Sequence, residues 1–486
     1  MSSGMRSLAA CLVLLAMALS PAQAAPGLVP DLRLLVDASE NMEKLDPDNL
    51  RSSTLEMFIR GVPRGARVGV WVFGEEAREL VPSGIVDGTW RKQALQALSE
   101  LEYSGPRTNI PAALEIATAD LDELGPGYRS SVVLLTTGKV DVADSPMINV
   151  SAARKLLNGL ATELGGRGVP VHTIAFSREA DSLLLRSLAR ETGGTSVQAK
   201  EPSELAGILL EVMEMVVPET RKPLYGRDFS VDERVQQFTV LAIFPKLKGK
   251  LRVVAPDGTV YSAQENPGDI NWFHDRQFSI ARLDEPQAGN WRLQHPSNAS
   301  ARVYVVSDLD LEVGALPYYT AAGQEAELEF RLSDRGEPIT DPAFLSRYQL
   351  FLEVTTPLGT TERVPLDLPD ASGHFQVNTP PLETPGRYRL MVRLEGEGLE
   401  REMPIYIEVG VPIEQPTLVT RGETPPDDDF QAPLIWLSGV STAVLLLVWY
   451  ILHRRKQRKL ALWQKRARDM KSNGNQANPG GTTAVD

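Results

Sequence analysis

The sequence predicts a doubly wound α/β domain followed by two antiparallel β-sandwich modules and one transmembrane helix. Three observations carry this reading. Apolar runs alternate with helical stretches over residues 28–217; from Asp228 to Val411 the pattern changes to short alternating runs with turns at Pro and Gly; and residues 432–452 hold no formal charge. At roughly 150 residues per domain, 486 residues exceed what one hydrophobic core fills. Hydrophobic residues at 42% and charged residues at 23% fit ordinary globular domains, which excludes wholesale disorder and a polytopic membrane protein.

The chain opens with a signal peptide over residues 1–24. Arg6 precedes an apolar run from Leu8 to Leu19, and Ala22-Gln23-Ala24 gives the small-x-small pattern of a cleavage site. Leu8-Ala9-Ala10-Cys11 matches a lipoprotein box, but it lies before the apolar core where such a box follows it. Cys11 is the single cysteine, so cleavage after Ala24 leaves none. An exported body of that size without disulfides fits a bacterial periplasm.

Residues 25–219 form the α/β domain. Strands are expected at Leu32–Val36, Val68–Phe73, Val132–Leu135 and Val171–Phe176, continuous apolar runs of the kind that parallel strands buried on both faces require. Helices are expected at Asn49–Ile59, Arg91–Leu101, Ile110–Leu121, Asn149–Leu164, Asp181–Glu191 and Ser203–Met215. In such a fold the functional loops gather at the carboxyl ends of the strands, where the strand order reverses.

The first of these loops reads Leu34-Leu35-Val36-Asp37-Ala38-Ser39-Glu40-Asn41-Met42. A carboxylate, a hydroxyl and a further oxygen at alternate positions can aim three oxygens at one hard cation. With this loop the chain resembles a von Willebrand factor A domain, whose metal-ion-dependent adhesion site has Asp-x-Ser-x-Ser here, a Thr in a later loop and an Asp after the fourth strand. The resemblance covers about 190 residues. It includes Ser104-Gly105-Pro106-Arg107-Thr108-Asn109, Val132-Val133-Leu134-Leu135-Thr136-Thr137-Gly138, His172-Thr173-Ile174-Ala175-Phe176 and Leu188-Ala189-Arg190-Glu191-Thr192-Gly193-Gly194. It implies a metal site of Asp37, Ser39, Asn41, Thr108 and Thr137, holding Mg2+, or Ca2+ or Mn2+ in its place.

Two positions depart from the family pattern. Asn41 replaces the second Ser, and an amide carbonyl still ligates a hard cation. Thr137 replaces the second Asp. A carboxylate about 5 Å from the ion, at an effective dielectric of about 20, is worth on the order of 3 kcal/mol per unit of ion charge. Two readings follow. Either Glu40 or Asp141 restores the negative charge and a divalent ion binds, or the site is degenerate and Ser39, Asn41 and Thr108 only hydrogen-bond loop backbone.

Residues 220–307 and 308–411 read as two copies of one β-module. Pro256-Asp257-Gly258-Thr259 returns as Pro357-Leu358-Gly359-Thr360, and Gly289-Asn290-Trp291-Arg292-Leu293 returns as Gly386-Arg387-Tyr388-Arg389-Leu390. A hairpin turn followed by a strand whose aromatic enters the core suits this spacing, and the modules resemble immunoglobulin-like domains. Trp291 and Tyr388 are expected in the core rather than as ligand platforms.

Pro-rich residues 412–431 make a linker, and Ala432–Leu452 gives a 21-residue transmembrane helix, about 30 Å at ~1.5 Å per residue. Trp436, Trp449 and Tyr450 sit as interfacial anchors. Asp427–Asp429 precede the span and His453-Arg454-Arg455-Lys456 follow it, so the positive-inside bias places residues 25–431 outside the cytoplasmic membrane and the basic tail 453–486 within the cytoplasm.

Lys and Arg total 50 against 63 acids, a net charge of -13, with the basic excess confined to the tail; this argues against a nucleic-acid partner. The five histidines stand in no catalytic setting, and no nucleophile elbow, zinc-protease helix or phosphate loop is present. The expected function is therefore non-enzymatic: a membrane-anchored protein that binds an unidentified protein partner through its α/β domain, as an adhesion or scaffold component. The alternative is a metal-independent structural or assembly component of a cell-envelope complex.

Overall fold

The structure is a computed structural model and describes residues 28–410 apart from 102, 179, 266–269 and 315. The expected signal peptide, linker, transmembrane helix and basic tail lie outside the described residues. Among the described residues no helix is long and apolar enough to cross a membrane.

The α/β domain runs β1 (Val29–Asp37), α1 (Glu40–Leu45), α2 (Leu50–Gly61), β2 (Arg67–Phe73), β3 (Ala77–Ile85), α3 (Gly88–Ala97), α4 (Ile110–Ala117), β4 (Tyr128–Thr136) and α5 (Pro146–Lys155). A π-helical turn (Leu156–Ala161) leads into α6 (Thr162–Gly166), followed by β5 (Val171–Phe176), α7 (Ser182–Glu191), β6 (Ser196–Ala199) and α8 (Leu205–Val216). The sheet order is β3-β2-β1-β4-β5-β6, parallel except for the antiparallel edge β3. Strand order reverses between β1 and β4, so the loops leaving these two strands open at the switch point. The four strands expected from apolar runs are the central ones. The additional strands β3 and β6 are edges, one partly exposed and one four residues long, and so lack the two-face burial that marks the others.

The first module comprises β7 (Asp228–Val231), β8 (Val235–Ile243), β9 (Arg252–Val254), β10 (Val260–Ser262), β11 (Ile270–His274), β12 (Phe278–Asp284), β13 (Gly289–Gln294) and β14 (Ser300–Ser307). Its two sheets are β10-β9-β13-β7 and β11-β12-β8-β14. The second comprises β15 (Leu309–Val313), β16 (Tyr319–Ala321), β17 (Glu327–Asp334), β18 (Glu337–Pro338), β19 (Gln349–Thr355), β20 (Thr361–Pro365), β21 (His374–Asn378), β22 (Gly386–Gly396) and β23 (Leu399–Gly410). Here β15-β17-β18, with β21 on β17, faces β16-β23-β22-β19-β20.

The sequence repeat is reproduced in space. Gly289 and Gly386 both have positive φ, 137° and 130°, and both sit against the turn proline of their own copy, where an added Cβ would lie 2.9 Å from Pro256 and 3.1 Å from Pro357. Trp291 and Tyr388 are both buried. Each pins the loop four residues back: the Trp291 indole donates to Gln287 O at 2.9 Å, and the Tyr388 hydroxyl accepts from Thr384 N at 3.0 Å. Both aromatics are thus core residues.

The modules are not beads on a string. Arg221 forms antiparallel bridges with Tyr304 of β14 on one side and Glu402 of β23 on the other. Arg221 N donates to Glu402 O at 2.7 Å, Glu402 N to Arg221 O at 2.9 Å, Lys222 N to Val303 O at 2.8 Å and Val305 N to Thr220 O at 3.2 Å. The segment leaving the α/β domain is therefore a strand in its own right, joining one sheet of each module into a single sheet. On the other face of β8 and β12, Leu241, Ile243, Phe278 and Ile280 share a core with Phe58 of α2 and Met213 of α8. Burial on both faces explains why Val240-Leu241-Ala242-Ile243 is a continuous apolar run where a half-exposed strand would alternate.

One carboxylate closes this junction. Glu214, fully buried near the end of α8, accepts from Arg221 Nη1 at 2.7 Å, from the Tyr304 hydroxyl at 2.7 Å and from the Tyr406 hydroxyl at 3.3 Å. A second buried cluster lies alongside, where Asp232 meets Arg401 at 2.6 Å and Lys222 at 3.1 Å. Replacing Glu214 leaves the Arg221 guanidinium with a single carboxylate, Glu402 at 3.0 Å, and leaves two phenols without their acceptor. Glu214→Ala is expected to lower unfolding free energy by about 3–5 kcal/mol, read as a fall in the urea midpoint, and to expose residues 217–223 to limited proteolysis. An unchanged midpoint would remove Glu214 from its role at the junction.

Candidate functional site

The loop after β1 is shaped by Asp37, the last residue of that strand. Its carboxylate is fully buried and accepts four hydrogen bonds: from Ser39 N at 2.9 Å on Oδ1, and from the Thr136 hydroxyl at 2.8 Å, Thr137 N at 3.0 Å and the Thr137 hydroxyl at 3.1 Å on Oδ2. Asp37 thereby ties the end of β1 to the end of β4 across the switch point. Backbone bonds stitch the neighbouring loop in place: Ala38 N donates to Phe73 O at 2.7 Å, Ser104 N to Ala38 O at 2.6 Å and Glu40 N to Gly105 O at 3.0 Å. Thr108, also buried, is held by paired backbone bonds with Asp141 at 3.1 and 3.0 Å.

The five residues expected to form a metal site thus fall into two groups. Asp37, Ser39, Thr108 and Thr137 are buried in the loops at the strand ends, and Asp37 contacts Ser39 and Thr137 directly. Asn41 is exposed in the first turn of α1. The two acids expected to restore charge are engaged elsewhere. Asp141 accepts from Asn149 Nδ2 at 3.1 Å and faces Arg107 at 3.4 Å, and Glu40 pairs with Lys44 at 3.3 Å.

Two residues of the site stand outside the expected set. Thr136 supplies the shortest bond to Asp37, and the Thr136-Thr137 pair at a strand end is the one hint of it. Arg51, buried in the first turn of α2, donates from Nη1 to Asp37 O at 2.7 Å and lies 5.0 Å from the centre of the Tyr103 ring. Burial lowers its pKa, opposed by the attraction of Tyr103, Asp37 and Asp46.

These residues do not fit a tightly held divalent ion. Asp37 is the carboxylate directed into the loop contacts, and three protein donors crowd its Oδ2 while Oδ1 takes one, so a single carboxylate with one open position is what the loops offer an ion. The Thr137 hydroxyl donates toward Asp37, and the Arg51 guanidinium already supplies positive charge beside it. Among the described residues no group of three or more His, Cys, Asp or Glu is placed to hold a metal. The Ser39 hydroxyl and Arg51 Nε are both buried there without a hydrogen-bond partner among the described residues.

Residues 31–210 match the family model of the von Willebrand factor type A domain. The α/β domain of this chain is a von Willebrand factor type A domain. Among solved structures the chain is similar to a von Willebrand factor type A protein from Catenulispora acidiphila, at 17% identity over 64% of this chain and 64% of that one, with a TM-score of 0.33. It is similar to the conserved hypothetical protein BatB from Bacteroides thetaiotaomicron, at 16% identity over 38% of this chain and 98% of that one, TM-score 0.30. It is also similar to the pilus adhesin SpaC from Lactobacillus rhamnosus GG, at 12% identity over 77% and 54%, TM-score 0.34. The chain spans a little under two thirds of the first of these and about half of the last. No curated protein matches it.

The hydrogen-bond pattern gives opposite expectations for two substitutions. Thr137→Asp places a second carboxylate against Asp37, so the variant should melt below the parent without metal and recover on adding magnesium, while the parent's melting temperature stays unchanged. Asp37→Ala strands up to four donors and is expected to cost about 2–4 kcal/mol with or without magnesium. A parent whose melting temperature rises with magnesium would show that a cation belongs in the native site.

Proposed function

We propose that this protein is a membrane-anchored protein-docking component of a bacterial cell envelope, non-enzymatic, whose von Willebrand factor type A domain binds a protein partner through its strand-end face and without a metal ion. One observation carries this. The charged centre of that face is closed on itself through Asp37, Thr136 and Thr137, whereas apolar side chains beside it stand open. Met147 is 84% exposed and Ile148 52% exposed in the first turn of α5, and Leu183 is 71% exposed in the first turn of α7. These helices begin at the ends of the adjacent strands β4 and β5 and pack near one another through the π-helical turn. Large apolar side chains at helix starts gain nothing in the free protein and are the kind of surface that partner binding covers.

The family's own mode, capture of an acidic side chain by a partly coordinated cation, has one observation in its favour, the unpartnered Ser39 hydroxyl. A photoreactive residue at Leu183 or Met147 separates the two readings. The expected result is one cross-linked protein adduct in native membranes that persists in EDTA. An adduct that vanishes in EDTA and in Asp37→Ala would establish cation capture, and no adduct from either position would overturn the docking face.

Anchoring rests on the charge step around residues 427–456 and on the uncharged stretch between. Because the sole cysteine lies within the first 24 residues, single cysteines report topology cleanly. Ser346→Cys is expected to react with a membrane-impermeant maleimide on intact spheroplasts, and Ser472→Cys only after permeabilisation; the reverse pattern would refute the orientation.

A further inference from the structure

Beyond the end of α8, the outer face of the shared sheet carries charge instead of apolar cover. A cavity of ≈ 240 Å³ opens there, bounded by β14, the strand at Arg221, β23, β22 and β19. Four guanidinium groups line it, those of Arg221, Arg302, Arg389 and Arg393, against the two carboxylates of Glu353 and Glu402. Lys222 also borders it, with its ammonium paired to Asp232.

Both carboxylates are already neutralised. Arg393 lies 2.8 Å from Glu353 and 3.3 Å from Glu402, and Arg221 lies 3.0 Å from Glu402 and 2.7 Å from Glu214, which stands on the same face of the sheet at the end of α8. Arg302 and Arg389 are left. Arg302 donates to Ser300 Oγ at 2.8 Å and to Ala301 O at 3.1 Å through Nη1, and its Nε makes no hydrogen bond but faces Glu214 in a long ion pair at 3.5 Å, which leaves Nη2 for a ligand. Arg389, exposed at the cavity rim, has no ion-pair partner among the described residues.

A guanidinium fork matches the oxygens of a carboxylate or phosphate in a bidentate manner, and charged hydrogen bonds of this kind are about twice as strong as neutral ones. At ~30 Å³ per water the cavity holds on the order of eight waters, below the ~300–1,000 Å³ of ordinary small-molecule pockets. An oxyanion head group fits this volume; a larger ligand would leave its remainder outside. Charged side chains dominate the lining over its apolar members Leu224, Val303 and Met391, which favours a charged ligand over an apolar one.

We propose that this pocket binds an oxyanion, a phosphate or carboxylate group on a small ligand, through Arg302 and Arg389. The test is isothermal titration of the full chain in detergent with inorganic phosphate and, separately, with succinate, each at an ionic strength matched with chloride. One anion or both should bind with one-to-one stoichiometry, and the anion that binds identifies the head group. Arg389→Ala, an exposed change expected to leave the melting temperature of the ligand-free protein unaltered, should weaken binding at least tenfold. Arg302→Lys keeps the charge but removes the fork and should weaken it as well. The proposal falls if neither anion binds above chloride, or if binding survives both substitutions unchanged.

Discussion

Glu214 is the point on which the arrangement of this molecule depends. It is a fully buried carboxylate in α8, and it is tolerable there because three donors from three different parts of the chain converge on it. The convergence fixes where the helix ends, where the following strand lies and how both β-modules meet it. Hydrophobic burial alone would hold the von Willebrand factor type A domain against the first module loosely in rotation, since apolar contact is not directional. The buried hydrogen bonds and ion pairs supply the direction, and the antiparallel bonds of Thr220–Lys222 then fix a register that a shift of one residue would invert.

The same principle, a buried acid organised by donors, operates at the strand-end loops. In the family pattern, carboxylates on two loops face a shared cation. Here the second carboxylate is a threonine, and its hydroxyl and backbone amide satisfy Asp37 directly. The substitution replaces the mutual repulsion of two carboxylates with hydrogen bonds between the two loops. Arg51 completes the change by delivering a protein-borne cation to the Asp37 carbonyl.

What was legible in the sequence follows from what burial does to composition. Central strands β1, β2, β4 and β5 are buried on both faces and announce themselves as apolar runs, whereas β3 and β6, at the edges, carry mixed residues and were missed. The internal repeat was visible because both copies use the same device, a glycine without a Cβ pressed against a turn proline, and that device demands the same residues. The loops of the site were found from Asp37, Ser39 and Thr108, whose spacing is local. Arg51 and Glu214 carry no such mark, because Arg51 meets a partner 14 residues away and Glu214 meets two phenols 90 and 192 residues away, and no pattern along the chain encodes such a meeting.

The path of β23 has a consequence for reach. This last described strand runs antiparallel to Thr220–Lys222 and so heads back toward the end of α8. Near its end, Glu408 N donates to Tyr318 O at 2.8 Å, and the Tyr318 ring stands edge-on to His172 of β5 with centroids 4.9 Å apart. The chain therefore departs, at Gly410, from beside the von Willebrand factor type A domain and not from the far side of the modules. The two β-modules do not work as a spacer that lifts a binding head away from its tether; they form a brace at its flank. The contact is made at the amino ends of β4 and β5, through Arg129 and His172, whereas the loops of Asp37 and Thr136 stand at the carboxyl ends of the same sheet, so the brace leaves the loop face uncovered.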